Sequence, residues 1–333
     1  MQYGPLWRVF RKLVHQNFME AVVEKNYVPV QNAEAVQMLY DLCQRPDQHM
    51  LHPKKFSNSV AMSIIFGMRT PTLDTPNMTR LYHIMTAKRL GSNMNSLYSS
   101  LLNEVRTRRE NPKYPRNTVM DSVLDQNEKL GLTGHQIYFF CGVLNEGASD
   151  TTATAIQSFI HAMSKLPVIL RKAQMEVDGV VGEDRLGRRF GRIMCVCHDW
   201  VDGYFIPKGS TVIINVWGLH RDHYGYGSGR RICPGMHLAE RNMFLAIVKL
   251  IWAFDFGPDI DEKTGLPVDV DVDPQTGYKE GLVLGARSFA CRISMRSDAR
   301  RDTIVRKFEK VSADVFSKYD FKWIWVFGIV FDF

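Results

Sequence analysis

The segment YGYGSGRRICPGMHLAERN, residues 224–242, places Cys233 between closely spaced glycines and the beginning of a helix. Glycines permit positive φ values and let a flat group approach the backbone, and Pro234 suits a first helical turn because it needs no N–H there. The partial positive charge of a helix N-terminus and the nearby arginines stabilise a thiolate. The segment therefore predicts that Cys233 is a metal ligand, the alternative being a buried thiol in a loop.

A thiolate placed in this way is a ligand for heme iron, where it favours cleavage of the O–O bond. The segment resembles the heme-ligand loop of the cytochrome P450 family, Phe-x-x-Gly-x-Arg-x-Cys-x-Gly. Gly229, Arg231, Cys233 and Gly235 match this pattern, and Tyr226 stands where the family has phenylalanine. The resemblance implies heme b as the cofactor, with Cys233 as its axial ligand and the other four residues around it. The tyrosine would alter redox tuning.

A second motif, NEGASDTTATA, begins at residue 145 inside a long helical pattern. A hydroxyl in mid-helix can donate to a carbonyl one turn earlier, open the backbone ladder and leave a kink. The alternative is a threonine-rich solvated turn. The motif resembles the oxygen-activating Ala/Gly-Gly-x-Asp/Glu-Thr-Thr pattern of the same family: Gly147, Asp150, Thr151 and Thr152 match, and Ala148 replaces a glycine. The resemblance implies that Asp150 and Thr151 form a general-acid relay that supplies protons during oxygen activation.

The third motif is WRVFR, in which Trp7 and Arg11 lie four residues apart and hence on one helix face. Alone, this pair is typical of ordinary packing. In the resembled family, Trp-x-x-x-Arg binds a heme propionate, and an arginine fork suits a carboxylate. The resemblance implies that Trp7 and Arg11 hold one side of the heme and Arg231 the other. The basic N-terminus is then an amphipathic helix and not a transit peptide.

The remaining sequence predicts a mainly α fold with a minor β component, an incomplete cytochrome P450 fold. Residues 1–310 form the partial heme domain, and residues 311–333 form an atypical tail. Thr133 is predicted to cap a long helix. Helices are predicted at 33–44, 52–68, 95–109, 118–129, 134–161 and 167–177, and strands at 204–206, 211–216, 281–284 and 289–295.

Charge and cysteine usage exclude several classes of protein. The 333 residues carry a net charge of +7 without a dense basic run, so no nucleic-acid partner is expected. The six cysteines are too scattered for a disulfide framework, and Cys195-Val196-Cys197-His198 lacks the spacing of a zinc site. The longest apolar stretches are shorter than the roughly 20 residues that a bilayer requires.

The chain departs from the family pattern in several places. No glutamate is followed by arginine three residues later, so the Glu-x-x-Arg helix is missing, and residues 184–205 stand in its place. Only four residues separate Arg221 from Tyr226, where the family has a long meander. The join near residues 86–93 is short, and the resemblance implies that the chain begins at the propionate-binding helix, without the N-terminal region of the family. These gaps keep open the alternative of a catalytically inactive truncated remnant.

Together, the resemblances imply a heme-dependent monooxygenase of the eukaryotic microsomal, filamentous-fungal type. It would insert one oxygen atom of O2 into a small organic substrate, such as an aromatic or polyketide secondary metabolite. An NADPH-cytochrome reductase-type donor would supply electrons, and the basic excess suits its acidic surface. Rearrangement or dehydration without external oxygen ranks last because Asp150 and Thr151 are present. The resemblance places the protein at the endoplasmic reticulum membrane, although the chain shows no transmembrane anchor.

Overall fold

The central element of the protein, seen here in a computed structural model, is the 32-residue helix α8, Gly134–Lys165. Thr133 caps this helix as the sequence predicts: its hydroxyl accepts the N–H of Gln136 at 3.2 Å, and the Gln136 side chain accepts the N–H of Thr133 at 2.9 Å. The helix continues one turn beyond its predicted end at His161.

The structure describes residues 4–86, 91–112, 114, 117–181, 199–201, 204–206, 226, 232–273, 275–279 and 285–319. Two predicted strands, at 211–216 and 281–284, lie outside these residues, as do Cys195, Cys197 and His198.

Helices make up most of the described chain. Besides α8, they are α1 (Pro5–Phe18), the short α2 (Glu20–Val22), α3 (Val28–Gln44), α4 (His52–Phe66), α5 (Pro76–Thr86), α6 (Gly91–Glu110), α7 (Val119–Leu130), α9 (Pro167–Val181), α10 (Met236–Ala253) and α11 (Asp298–Asp314). A single π-helical segment, Val23–Tyr27, joins α2 to α3.

The strands among the described residues form three short antiparallel pairs. β1 (Asp199–Val201) pairs with β2 (Tyr204–Ile206), β3 (Phe254–Pro258) with β6 (Cys291–Met295), and β4 (Tyr278–Lys279) with β5 (Gly285–Ala286). In the longest pair, Phe256 lies opposite Ile293.

The core lies where α3, α4, α8 and α10 pack together. Phe56 of α4, Met38 of α3 and Trp252 of α10 are fully buried there. A polar contact fixes α10 within this apolar core: the buried Gln31 side chain of α3 donates to the Leu238 carbonyl at 3.1 Å and to the Asn242 side chain at 2.8 Å. Because buried polar groups require partners, this contact specifies the position of the first turns of α10.

The predicted helices are all confirmed, with ends that shift by a few residues, and so is the mainly α fold class with a minor β component. The strand at 204–206 is confirmed, and the one predicted at 289–295 begins at Cys291. Helices α5 and α11 were missed. Helix α5 is short, with 11 residues. Helix α11 is highly charged and owes its position to tertiary contacts such as the stacking of Phe308 on Tyr40, with ring centroids 4.1 Å apart.

The predicted domain boundary at 310/311 falls inside α11. Beyond this helix, Phe316 is buried and covers the Arg69 guanidinium at 3.2 Å from the ring centroid, and Arg69 in turn pairs with Glu34 at 2.6 Å. The tail from residue 320 lies outside the described residues, so the division into two parts stays a prediction. Among the described helices, none is long and apolar enough to cross a bilayer.

Candidate functional site

Cys233 lies just before α10, which begins at Met236, so Pro234 precedes the helix and does not lie in its first turn as expected. Its backbone N–H donates to the Tyr226 carbonyl at 2.7 Å, which closes the loop in front of the helix, and Gly235 is the N-cap residue. The thiol is unpaired and half-buried. The positive partial charge at the N-terminus of α10 therefore lies near the free thiol of Cys233. Gly229 and Arg231 lie outside the described residues.

Tyr226, in the position where phenylalanine was expected, is half-buried in this loop. Burial, with smaller contributions from the negative charges of Glu240 and Cys233, raises the pKa of its phenol. A tyrosine phenol is protonated at neutral pH, so Tyr226 provides a hydrogen-bond donor in the cysteine loop, which phenylalanine would lack.

Arg11 of α1 reaches the same loop. Its guanidinium donates to the carbonyl of Ile232, the residue before Cys233, at 2.6 Å. Trp7 is half-buried one turn earlier on α1. The predicted pair thus lies on the helix that contacts the cysteine loop. Because a guanidinium has five N–H groups, this contact leaves Arg11 further donors for a carboxylate.

Helix α1 also contacts the long helix α8. Phe10 stacks on Phe140, with ring centroids 4.6 Å apart and planes inclined at 29°. One helix therefore holds both the cysteine loop, through Arg11, and the helix that carries Asp150 and Thr151. The spacing of Phe10 and Phe140 in the sequence gives no signal of this contact.

The second motif lies in the middle of α8. The Thr151 hydroxyl is exposed and donates to the Gly147 carbonyl one turn earlier at 2.7 Å, as predicted for a threonine in mid-helix. The helix nevertheless runs through this segment without a break, so the expected opening of the backbone ladder is not found. Thr152 points into the core and is only 3% exposed.

Asp150, next to this threonine, is half-buried. Burial raises the pKa of its carboxyl, and the Lys54 ammonium group of α4 opposes the rise. A carboxyl in this environment holds a proton at a higher pH than an exposed aspartate does, which is the property that a general acid requires.

The residues around this site fit a heme group. A free thiol lies ahead of a helix N-terminus, a guanidinium lies at the same loop, and an exposed hydroxyl lies on α8. A Cβ atom placed on Gly147 or Gly235 would meet no other described part of the chain within 4 Å. A thiolate ligates the iron of an iron porphyrin, and a guanidinium binds its carboxylates.

The sequence analysis did not single out several residues that shape the site. Ser57 and Asn58 of α4 hold the turn before Asp150: the Ser57 hydroxyl donates to the Ser149 carbonyl at 2.5 Å, and the Asn58 amide donates to the Ser149 hydroxyl at 3.2 Å. The available signal was the run of three polar residues, Ser57–Ser59, between Phe56 and Val60, which predicts buried hydrogen bonds but not their partners.

Comparison with known proteins gives consistent matches. The family model described as Cytochrome P450 matches residues 78–194 and 223–269. The protein "Cytochrome P450 monooxygenase patH" of Penicillium expansum is 38% identical over 412 residues, covering 96% of this chain and 77% of the relative. "Cytochrome P450 monooxygenase yanC" of Aspergillus niger is 36% identical over 417 residues, covering 96% of this chain and 78% of the relative.

A solved structure shows the same fold. A zebra fish cytochrome P450, determined with abiraterone, superposes with a TM-score of 0.64 and 19% identity, covering 89% of this chain and 83% of that one. At this identity the match concerns the fold alone.

Proposed function

This chain belongs to the cytochrome P450 monooxygenase family, and on that premise we propose that it inserts one atom of O2 into a small organic substrate of the aromatic or polyketide type. When bound, heme supplies the iron centre at which O2 is reduced and its O–O bond is cleaved. The observation that carries the proposal is the free, half-buried thiol of Cys233 just before α10, in a loop that Arg11 contacts.

The proposed roles of the other residues follow from their positions. Cys233 holds the iron as a thiolate, with Tyr226, Gly229 and Gly235 forming its loop. Around the porphyrin rim, Trp7, Arg11 and Arg231 bind the propionates. Asp150 holds a proton, and the exposed hydroxyl of Thr151 passes it to the reacting oxygen.

The proposed redox partner is an NADPH-cytochrome reductase-type protein at the endoplasmic reticulum membrane. Helix α1, which contacts the cysteine loop, exposes Arg8, Lys12 and His15 to solvent. A basic surface beside the heme ligand suits an acidic flavoprotein, because complementary charge accelerates association.

Isotope labelling tests the reaction. The heme-loaded protein, a fungal reductase and NADPH are incubated under 18O2 with a panel of small aromatic and polyketide compounds. We expect products that contain one 18O atom, and none with Cys233→Ser. A product without 18O would instead indicate rearrangement or dehydration. Oxygen consumption without a labelled product would contradict the proposed substrate class.

One observation favours a second candidate, a chain of this family that does not bind heme. The match to the Penicillium relative spans 412 aligned positions, more than the 333 residues of this chain, so part of the relative lies opposite internal gaps. Titration with hemin separates the candidates. Saturation at one heme per chain supports the enzyme, and absence of saturable binding supports the remnant.

A further inference from the structure

Three helices meet at the turn of α8 that carries Asp150. The Tyr82 hydroxyl of α5 lies 3.3 Å from the Ser149 carbonyl of α8 and 3.3 Å from the Lys54 carbonyl of α4. The hydroxyl therefore lies between the backbone next to Asp150 and the backbone of a lysine, and its single proton can be donated to either carbonyl. Together with the contacts of Ser57 and Asn58, it fixes this turn against α4.

The side chain of Lys54 is held by the same tyrosine. Its Nζ lies 5.1 Å from the centroid of the Tyr82 ring, within the range of a cation–π contact. The lysine is half-buried, so its charge is less screened than that of a surface lysine. Tyr82 thus anchors both the backbone and the ammonium group of Lys54 beside the relay.

We propose that Lys54 is a positioning residue for the reaction: its ammonium group, held on Tyr82, sets the protonation of Asp150 and thereby the supply of protons to Thr151. This inference rests on the proposed function, since Asp150 and Thr151 act there as the relay.

The charges around Asp150 support this role. Lys54 opposes the effect of burial on the pKa of the Asp150 carboxyl. Burial lowers the pKa of Lys54 itself, and Asp150 opposes this lowering. Lys279 of β4 is a second cation beside Lys54 and disfavours its charge. On α8 itself, the neighbouring acid is Glu146, one turn earlier, which is engaged by the Tyr98 hydroxyl. Among the described residues, Lys54 is therefore the cation that acts on Asp150.

The chemical reason lies in the strength of the acid. Burial alone makes a carboxyl hold its proton too firmly, whereas a proton donor works best when its pKa is close to the working pH. A nearby cation lowers the pKa of the carboxyl and restores its ability both to take up and to release a proton. Without Lys54, the pKa of Asp150 rises, and Asp150 becomes a weaker acid.

The first test needs neither heme nor substrate. The pKa of the Asp150 carboxyl is measured by 13C NMR on protein labelled at its aspartate carboxyl carbons, with the signal assigned through Asp150→Asn. We expect Lys54→Gln to raise this pKa by about half a unit or more and Lys54→Arg, which keeps the charge, to leave it near the wild-type value. Lys172→Gln removes an exposed lysine on α9 and serves as the matched control. An unchanged pKa in Lys54→Gln overturns the proposal.

The second test uses the heme-loaded protein with reductase and NADPH, without added substrate. We expect Lys54→Gln to release more hydrogen peroxide per NADPH than do the wild type and Lys172→Gln. We also expect the pH profile of this ratio to move to higher pH, together with the pKa of Asp150. If the pKa shifts while the ratio stays constant, Lys54 has no role in the relay. If Asp150→Asn also leaves the ratio constant, the relay of the proposed function fails instead.

Discussion

Two adjacent residues, Asp150 and Thr151, have different environments although they share one turn of helix. Thr151 is exposed, and its hydroxyl donates to the Gly147 carbonyl, on an exposed face of α8. Asp150 is half-buried and close to a cation. Thr151 can therefore reach a ligand on that face, and Asp150 can hold a proton for Thr151. This division of labour matches the roles proposed for them.

Replacement of Thr151 tests the hydroxyl. In Thr151→Ala, the proton supply is interrupted, so we expect the hydrogen peroxide released per NADPH to rise severalfold in reductase assays, with heme content unchanged. Thr107→Ala is the matched control, since Thr107 is an exposed threonine on α6 whose hydroxyl also donates to a carbonyl one turn earlier, that of Asn103 at 3.2 Å. Equal peroxide release from the two variants would contradict the role of Thr151.

At the residue scale, the sequence identifies residues whose chemical role depends on neighbours close in the chain. The positions of Cys233 just before a helix and of Thr151 above the Gly147 carbonyl follow from neighbours within a few residues. Lys54 and Tyr82 could not be found in this way. They lie far from Asp150 in the sequence, and their relevance arises only because α4, α5 and α8 pack together.

At the scale of elements, α8 is held from two sides. Helix α4 lies along it, and α6 approaches it through a glycine. The fully buried ring of Tyr98 lies so close to Gly142 that a Cβ atom there would be 2.4 Å from the ring, and the Tyr98 hydroxyl bonds to Glu146. Gly142 thus allows the close approach of α6 to the segment that precedes Asp150.

A methyl group at this glycine should therefore separate the helices. We expect Gly142→Ala to lower the free energy of unfolding by about 1–3 kcal/mol, because the buried ring must move. The control is Gly179→Ala on α9, where a Cβ atom meets no other described part of the chain. There we expect an increase of about 0.5–1 kcal/mol from helix propensity. Urea denaturation measures both, and a stabilised Gly142→Ala would show that the close approach does not exist in solution.

The elements themselves were largely predictable, because capping residues and apolar periodicity act locally. The Thr133 cap and the extents of α4, α7 and α8 illustrate this. Helix α11 was missed because its sequence is highly charged, and its stability comes from contacts such as Phe308 with Tyr40 and the Arg300 guanidinium with the Trp252 carbonyl. Tertiary contacts of this kind leave no periodic signal in the sequence.

At the scale of the whole molecule, the chain keeps the parts that surround the candidate heme site among the described residues. Helix α1 links the cysteine loop to α8 through Arg11 and Phe10, and Gln31 fixes the beginning of α10. Part of the longer relatives lies opposite internal gaps in this chain, and the Glu-x-x-Arg pattern is absent from the sequence. The central claim is therefore that the remaining framework still presents Cys233 to heme.

The most direct test is the carbon monoxide difference spectrum of the hemin-loaded, dithionite-reduced protein. We expect the strongly red-shifted Soret band of thiolate-ligated ferrous heme, its loss in Cys233→Ser, and its retention in Cys291→Ser, which alters another free, half-buried cysteine. A band at the ordinary position in the wild-type protein, no band at all, or a red-shifted band that survives in Cys233→Ser would contradict the account.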